Sequence, residues 1–204
     1  MLFRLVHSDG LRLDRPVYRA HFKAHKEQVR DRPCWKLERR KHFEERGDPS
    51  RDALRRGDWA DAIRLLEDDR AGLLRTAEDD RRRGSTFHRL RVVEEPPTPY
   101  LRWELHALRM QAECGRPVRV VAADALRAAE RDGPLPEVVV LGDRALYEVL
   151  YTDEGRPTGA VAFTDPELVA HWTDFIASAY ASAEDVRSYC DRAVARLTAP
   201  PPEG

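Results

Sequence analysis

FHRLRVVEEPPTPYLRWELHALRMQAECGRPVRVVA, residues 87–122, decides the fold. His88–Val93 reads as a strand and runs into the acidic, proline-rich turn Glu94-Glu95-Pro96-Pro97-Thr98-Pro99. Thr98 suits an N-cap and Pro99 the first helical position. Leu101, Leu105, Leu108 and Ala112 then repeat at helical spacing. Gly115 stops that helix, and Val118–Ala122 is a second strand. The result is a β-loop-α-β unit, with its densest polar groups where a strand ends and a helix starts.

Outward from this unit, Val138–Leu141 is continuously apolar, as for a strand covered on both faces. Ala145–Tyr151 and Ala160–Phe163 are two further strands, and Gly142-Asp143 and Asp153-Glu154-Gly155 supply turns. The three form an antiparallel meander. Thr164-Asp165-Pro166-Glu167 starts a helix with Leu168, Trp172, Phe175, Ile176 and Ala179 on its apolar face. A last helix starts at Ser182 and carries Val186, Tyr189, Cys190, Ala193 and Leu197.

Toward the N-terminus, Leu2, Phe3, Leu5 and Val6 read as an edge strand or an ordered arm. Asp14 and Pro16 open a helix that Pro33 stops, and Trp35-Lys36-Leu37-Glu38 alternates as a short strand. Gly47-Asp48-Pro49-Ser50 reads as a turn. The longest helical pattern runs from Asp58 to the glycine stop at Gly84, with Gly72 as the place for a break. Arg81-Arg82-Arg83 at its end complements the helix dipole. Asp124–Arg131 reads as a short helix.

The fold class is therefore α+β: a small mixed sheet with helices packed on it, an N-terminal helical segment, and two C-terminal helices. Residues 1–85 form the helical segment with one short strand, 86–198 the core domain, and 199–204 a disordered tail.

Hydrophobic content of 42% supports a core, and 35% of residues are charged. A net charge of −1 argues against strong nucleic-acid binding. Lys23, Lys26, Lys36 and Lys41 are the lysines among 35 basic residues, an arginine bias that reads as the codon usage of a GC-rich bacterium. Cys34, Cys114 and Cys190 form no CxxC, so buried thiols are expected rather than a disulfide framework or a zinc site. No apolar window approaches the ~18 residues of a membrane span. The expectations are a cytoplasmic protein without membrane association, metal or cofactor, its oligomeric state left open.

The candidate ligand-binding residues are Arg91, Glu94, Tyr100, Arg102 and Glu104, at a strand's carboxyl end, where α/β proteins favour ligands. In one reading Arg102 pairs an anionic group and Tyr100 donates a hydrogen bond. In the other, the same charges form a salt-bridged anchor between this helix and the Leu37-Glu38 strand. Arg102 lies in the first helical turn, where the dipole disfavours a cation, so a carboxylate or an anionic ligand group should accompany it. His21 and His25 share a helix face, without the glutamate of a metalloprotease motif.

Residues 155–169, Gly-Arg-Pro-Thr-Gly-Ala-Val-Ala-Phe-Thr-Asp-Pro-Glu-Leu-Val, resemble the close of a phospholipase-D-like domain. Sugar-sensing transcription regulators use a similar domain without catalysis. The enzymes need His-x-Lys-x4-Asp, and no His-x-Lys stands here in a strand context; the resemblance implies a fold without the phosphodiesterase chemistry. The whole chain more closely resembles an uncharacterised actinobacterial family. The resemblance rests on Trp35-Lys36-Leu37-Glu38 and on the core from Arg91 to Glu104, Arg-Val-Val-x-Glu-Pro-x-Thr-x-Tyr-Leu-Arg-Trp-Glu. Members are often encoded near helix-turn-helix regulators. This implies a non-catalytic regulatory or accessory protein in a regulatory or specialised-metabolism setting, binding a helix-turn-helix regulator or a small anionic ligand. The alternative is a small-molecule enzyme with Glu94 or Glu104 as general base and Arg102 as anion clamp.

Overall fold

The structure, a computed structural model, describes residues 3–44 and 47–193. In chain order the elements are β1 (Leu11–Asp14), α1 (Arg15–Lys26), β2 (Cys34–Glu38), α2 (Pro49–Arg55), α3 (Trp59–Leu66), α4 (Arg70–Arg82), β3 (Phe87–Val93), α5 (Pro99–Glu113) and β4 (Val118–Ala122). There follow β5 (Val138–Leu141), β6 (Ala145–Tyr151), β7 (Pro157–Phe163), α6 (Pro166–Ser182), β8 (Glu184–Asp185) and α7 (Val186–Ala193). All eight strands form one mixed sheet in the order β1-β7-β6-β5-β2-β3-β4-β8. The fold is mixed α+β.

β5, β6 and β7 are the antiparallel meander, while β2, β3 and β4 run parallel. Parallel neighbours need long crossovers. α2, α3 and α4 carry the chain from β2 to β3, and α5 carries it from β3 to β4. Residues 1–85, read from sequence as a helical segment with one short strand, supply both β1 and β2. β2 is an interior strand, between β5 and β3.

Alternation along the strands separates the two faces. Trp35, Leu37, Leu90, Val92, Val138, Val140 and Leu146 pack with Val169, Trp172 and Ile176 of α6. On the other face, Cys34, Phe87, Val139, Leu141 and Tyr147 pack with Tyr18 and Phe22 of α1. Farther along the sheet, Leu101, Leu105 and Leu108 of α5 join Val93, Val118 and Val120, with Val186 and Tyr189 of α7 beside them. Phe3 and Leu5 form an arm, with Phe3 against His171, Trp172 and Phe175 of α6.

Four local expectations are corrected. The pattern after Asp58 breaks at the 3-10 turn Glu67–Asp69, while Gly72 lies inside α4. Three consecutive acids oppose the dipole at the end of α3 and suit the approach to α4. The Asp124–Arg131 helix is a 3-10 turn at Ala123–Leu126, since so short a segment seldom repays helix nucleation. The last helix begins at Val186, after α6 has run on to Ser182 and β8 has paired with β4. Leu197 and the 199–204 tail lie outside the described residues.

Asp48-Pro49 is not a simple turn but the start of α2. The Asp48 carboxylate accepts from the Arg51 N–H at 2.7 Å. Ser50 on this helix accepts from Trp103 Nε1 of α5 at 2.7 Å and donates to the Ala62 carbonyl of α3. Asp48→Ala removes the cap, and urea denaturation is expected to register a loss of about 1 kcal/mol.

Candidate functional site

The parallel register of β2 and β3 sets Lys36 beside Arg89 and Glu38 beside Arg91. In each strand these residues alternate with core residues, so all four share the face toward α5. Glu38 receives Lys36 at 2.5 Å and Arg89 at 3.1 Å. Arg91 Nε donates to Glu104 Oε2 at 2.9 Å, and its Nη2 lies 2.8 Å from the same oxygen. The Tyr100 hydroxyl donates to Glu104 Oε1 at 3.4 Å. Arg91 is 1% exposed, Glu38 2% and Glu104 5%.

Burial pushes the Glu38 carboxyl up, but Arg89, Lys36 and Arg91 outweigh it and hold it at about 2. Burial also works against the Arg91 charge, and Glu104 and Glu38 overcome it, so the guanidinium is held above its ordinary value. Of the five sequence candidates, Arg91, Tyr100 and Glu104 therefore meet in the interior. Their geometry is that of an anchor tying α5 to β2 and β3.

The other two lie apart. Glu94, past the end of β3, accepts from Arg39 at 2.6 Å and pairs with Lys41 at 2.6 Å. These contacts, Lys41 first and then Arg39, lower its pKa. Of the two partners expected for Arg102, a carboxylate or an anionic ligand group, no carboxylate meets it among the described residues; its Nε donates to the Pro97 carbonyl at 3.3 Å. That carbonyl belongs to the turn before α5, in which the Glu95-Pro96 bond is cis.

The sequence reading passed over the residues that follow β2. Arg39, Arg40, Lys41 and His42 line a cleft of about 600 Å³ together with Glu137, Glu148, Tyr151 and Asp153. It lies at the carboxyl ends of β2 and β6 and the start of β5, on the sheet edge where β3 also ends. A smaller cleft of about 140 Å³, between Arg39, Lys41, Glu94 and Thr98, adjoins it through the shared Arg39 and Lys41. Arg39 is saturated by Glu94 and by both oxygens of Glu130. Arg40 instead donates to the Thr152 and Asp153 carbonyls at 3.3 Å and lies over the Tyr151 ring at 5.3 Å. Gly155, at φ +82°, lets the adjoining turn lie against His42: a Cβ there would stand 2.9 Å from the His42 carbonyl.

Glu137 is buried at the head of β5. Its Oε1 accepts the Arg39 N–H at 2.8 Å and the Arg40 N–H at 2.5 Å. Its Oε2 has no partner among the described residues. Burial, helped by the Glu38 charge, pushes the carboxyl up to about 7. The run Arg39–His42 after a strand was a legible signal. Glu137 gave none, because a glutamate before an apolar strand is ordinary at the sequence level.

Elsewhere, a His21 ring nitrogen meets the Tyr147 hydroxyl at 2.9 Å, and the His21 and His25 rings stack at 4.2 Å. Among the described residues no group of three or more His, Cys, Asp or Glu side chains is placed to hold a metal. Cys34, Cys114 and Cys190 are free, buried thiols. No helix among the described residues is long and apolar enough to cross a membrane.

Two outcomes follow from the buried charges. Arg91→Met leaves Glu104 buried without its cation, and a loss of about 3–5 kcal/mol is expected in chemical denaturation. Adding Glu104→Met removes the stranded charge and should recover most of it. For Glu137, the native pKa lies above the ordinary 4.5, so between pH 4.5 and 7 the native state keeps a proton that the unfolded chain has released. Stability falls through that window, by about 3 kcal/mol for this group once the pH is above 7. Glu137→Gln should thus match the parent near pH 4 and be more stable at pH 8 by up to about that amount, measured as paired urea titrations.

No curated protein matches the chain. Residues 20–191, from within α1 through most of α7 and containing both the buried ion cluster and the cleft, match a family described as a domain of unknown function, DUF6879. The chain belongs to the DUF6879 family.

Proposed function

We propose that this is a non-catalytic regulatory or accessory protein that binds a small anionic ligand in the cleft at the carboxyl end of β2. The observation that carries this reading is Arg40. It lines a cleft of about 600 Å³, within the roughly 300–1,000 Å³ of small-molecule sites. Among the described residues no carboxylate pairs with it; its polar contacts are two carbonyls at 3.3 Å. Its neighbours Arg39 and Arg91 are both matched by acids. A guanidinium is suited to two-point contact with a carboxylate or phosphate, which is stronger than its contact with neutral oxygens.

The non-catalytic half of the proposal is supported by the separation of the acids once considered as bases. Glu104 is sealed behind Arg91, and Glu94 is engaged by Arg39 and Lys41. The actinobacterial setting near helix-turn-helix regulators, implied by the sequence resemblance, supplies a reader for the bound state. In this reading, ligand occupancy changes how the protein engages such a regulator.

The test is a thermal-shift and calorimetric panel of phosphate, sulfate and small mono-, di- and tricarboxylates. At least one is expected to raise the Tm saturably, as a ligand of the native state must. Arg40→Ala should weaken that binding by about tenfold or more, and Arg102→Ala should leave it unchanged. A panel without a response, or an Arg40→Ala variant that responds like the parent, overturns the proposal.

A further inference from the structure

An anion in the cleft at the end of β2 would share it with a buried acid. Glu137 lies in the cleft wall and is 6% exposed. Its Oε1 accepts the Arg39 and Arg40 amides, which fixes the carboxyl beside the ligand space. An oxygen can accept those two bonds in the acid as in the carboxylate, so the carboxyl keeps its place in either form. No hydrogen bond to Oε2 among the described residues favours the charged form.

The surrounding charges leave that carboxyl poised between its two forms. Glu38 on β2, Glu148 on β6 and Asp153 beyond β6 oppose a negative charge there, while Arg39, Arg40 and Lys41 after β2 and Arg91 on β3 favour it. Most of these are already matched: Arg39 by Glu94 and Glu130, Lys41 by Glu94, Arg91 by Glu104, and Glu148 by His7 of the N-terminal arm. Arg40 has no carboxylate partner among the described residues, and burial holds the Tyr151 hydroxyl of β6 neutral. Burial first, and then Glu38, bring the Glu137 carboxyl up to about 7.

We infer that the cleft takes up its anion together with a proton, which settles on Glu137, so that the site releases its ligand as the medium turns alkaline. This rests on the anion-binding reading above and adds the regulation of that same site. It needs no contact between the ligand and Glu137: a second negative charge in a poorly screened cleft disfavours the ionised carboxyl at a distance. The ligand-bound protein therefore holds the proton to a higher pH than the empty one. Tight binding is complete below the pKa of the empty protein, weakens as pH rises through it, and levels off above the pKa of the complex.

The probes are sulfate and succinate, which stay ionised between about pH 6.5 and 8.5. Calorimetry on the full chain, in pairs of buffers with different ionisation enthalpies, reads both the Kd and the protons taken up. At least one probe is expected to bind about fivefold or more weakly at about pH 8.5 than at about pH 6.5. It should carry about half a proton onto the protein near pH 7.5. Glu137→Gln, checked for folding by circular dichroism, should bind with a Kd that varies less than about twofold over this range and without proton uptake. His42 also lines the cleft, but burial and then Arg51 lower its pKa below this window, so His42→Gln should keep both the slope and the uptake. Binding by the parent that ignores pH and takes up no proton overturns the proton linkage and leaves anion binding standing. Uptake that survives in Glu137→Gln, or is lost in His42→Gln, also overturns it. Binding of neither probe overturns it too, and if the wider anion panel is equally silent the anion-binding reading falls with it.

Discussion

The parallel pairing of β2 with β3 is the constraint on which the rest depends. Its register sets Lys36, Glu38, Arg89 and Arg91 on neighbouring positions of one sheet face. Charges at that depth persist only if paired, because desolvation otherwise outweighs what they gain. Glu104 of α5 completes the pairing and fixes where α5 lies over the sheet. The Tyr100 and Trp103 rings then form the floor on which α2 and α3 rest, with Arg51 over both rings and Ser50 bonded to Trp103.

The same strand pair sets the location of the cleft. The ladder between β2 and β5 ends at Leu37 and Val138, so the next residues on each side leave the sheet together. The Arg39 and Arg40 amides then have no strand partner, and the Glu137 carboxylate takes both. That closes the backbone account at the strand end. It also leaves Glu137 Oε2 and Arg40 Nε buried without a hydrogen-bond partner among the described residues. On the α5 side of β2 both buried acids, Glu38 and Glu104, are matched by cations; just past its carboxyl end, Arg40 has no carboxylate partner among the described residues.

Ion pairs on the surface have a smaller part. Arg81, Arg82 and Arg83 each pair with the acid three residues earlier, Glu78, Asp79 and Asp80. The exposed pairs of Arg81 and Arg82 contribute only tenths of a kcal/mol each, while Asp80 is buried and is shared by Arg83 and Lys26. Their effect is to balance an arginine-rich surface locally, in keeping with a net charge of −1. The basic groups proposed to take an anion are those at the end of β2, where burial and geometry raise the value of a charge.

The sequence by itself determined the β-loop-α-β unit, the antiparallel meander and the caps at Asp14 and Thr98, because period, proline and short polar side chains act within a few residues. It also held the acids and arginines of the buried cluster, as a polar alternation in two strands. It read Asp-Pro as a helix start at 165 and as a turn at 48, since only packing on Trp103 decides between them. Tertiary structure alone decided which strands are neighbours, and therefore which charges meet. It turned Arg91, Tyr100 and Glu104 inward as an anchor, left Arg102 to a carbonyl, and drew Glu137 across about a hundred residues of chain to the amides after β2. Pairing between distant strands carries no local signature, because the hydrogen bonds that specify it belong to backbone groups every residue possesses.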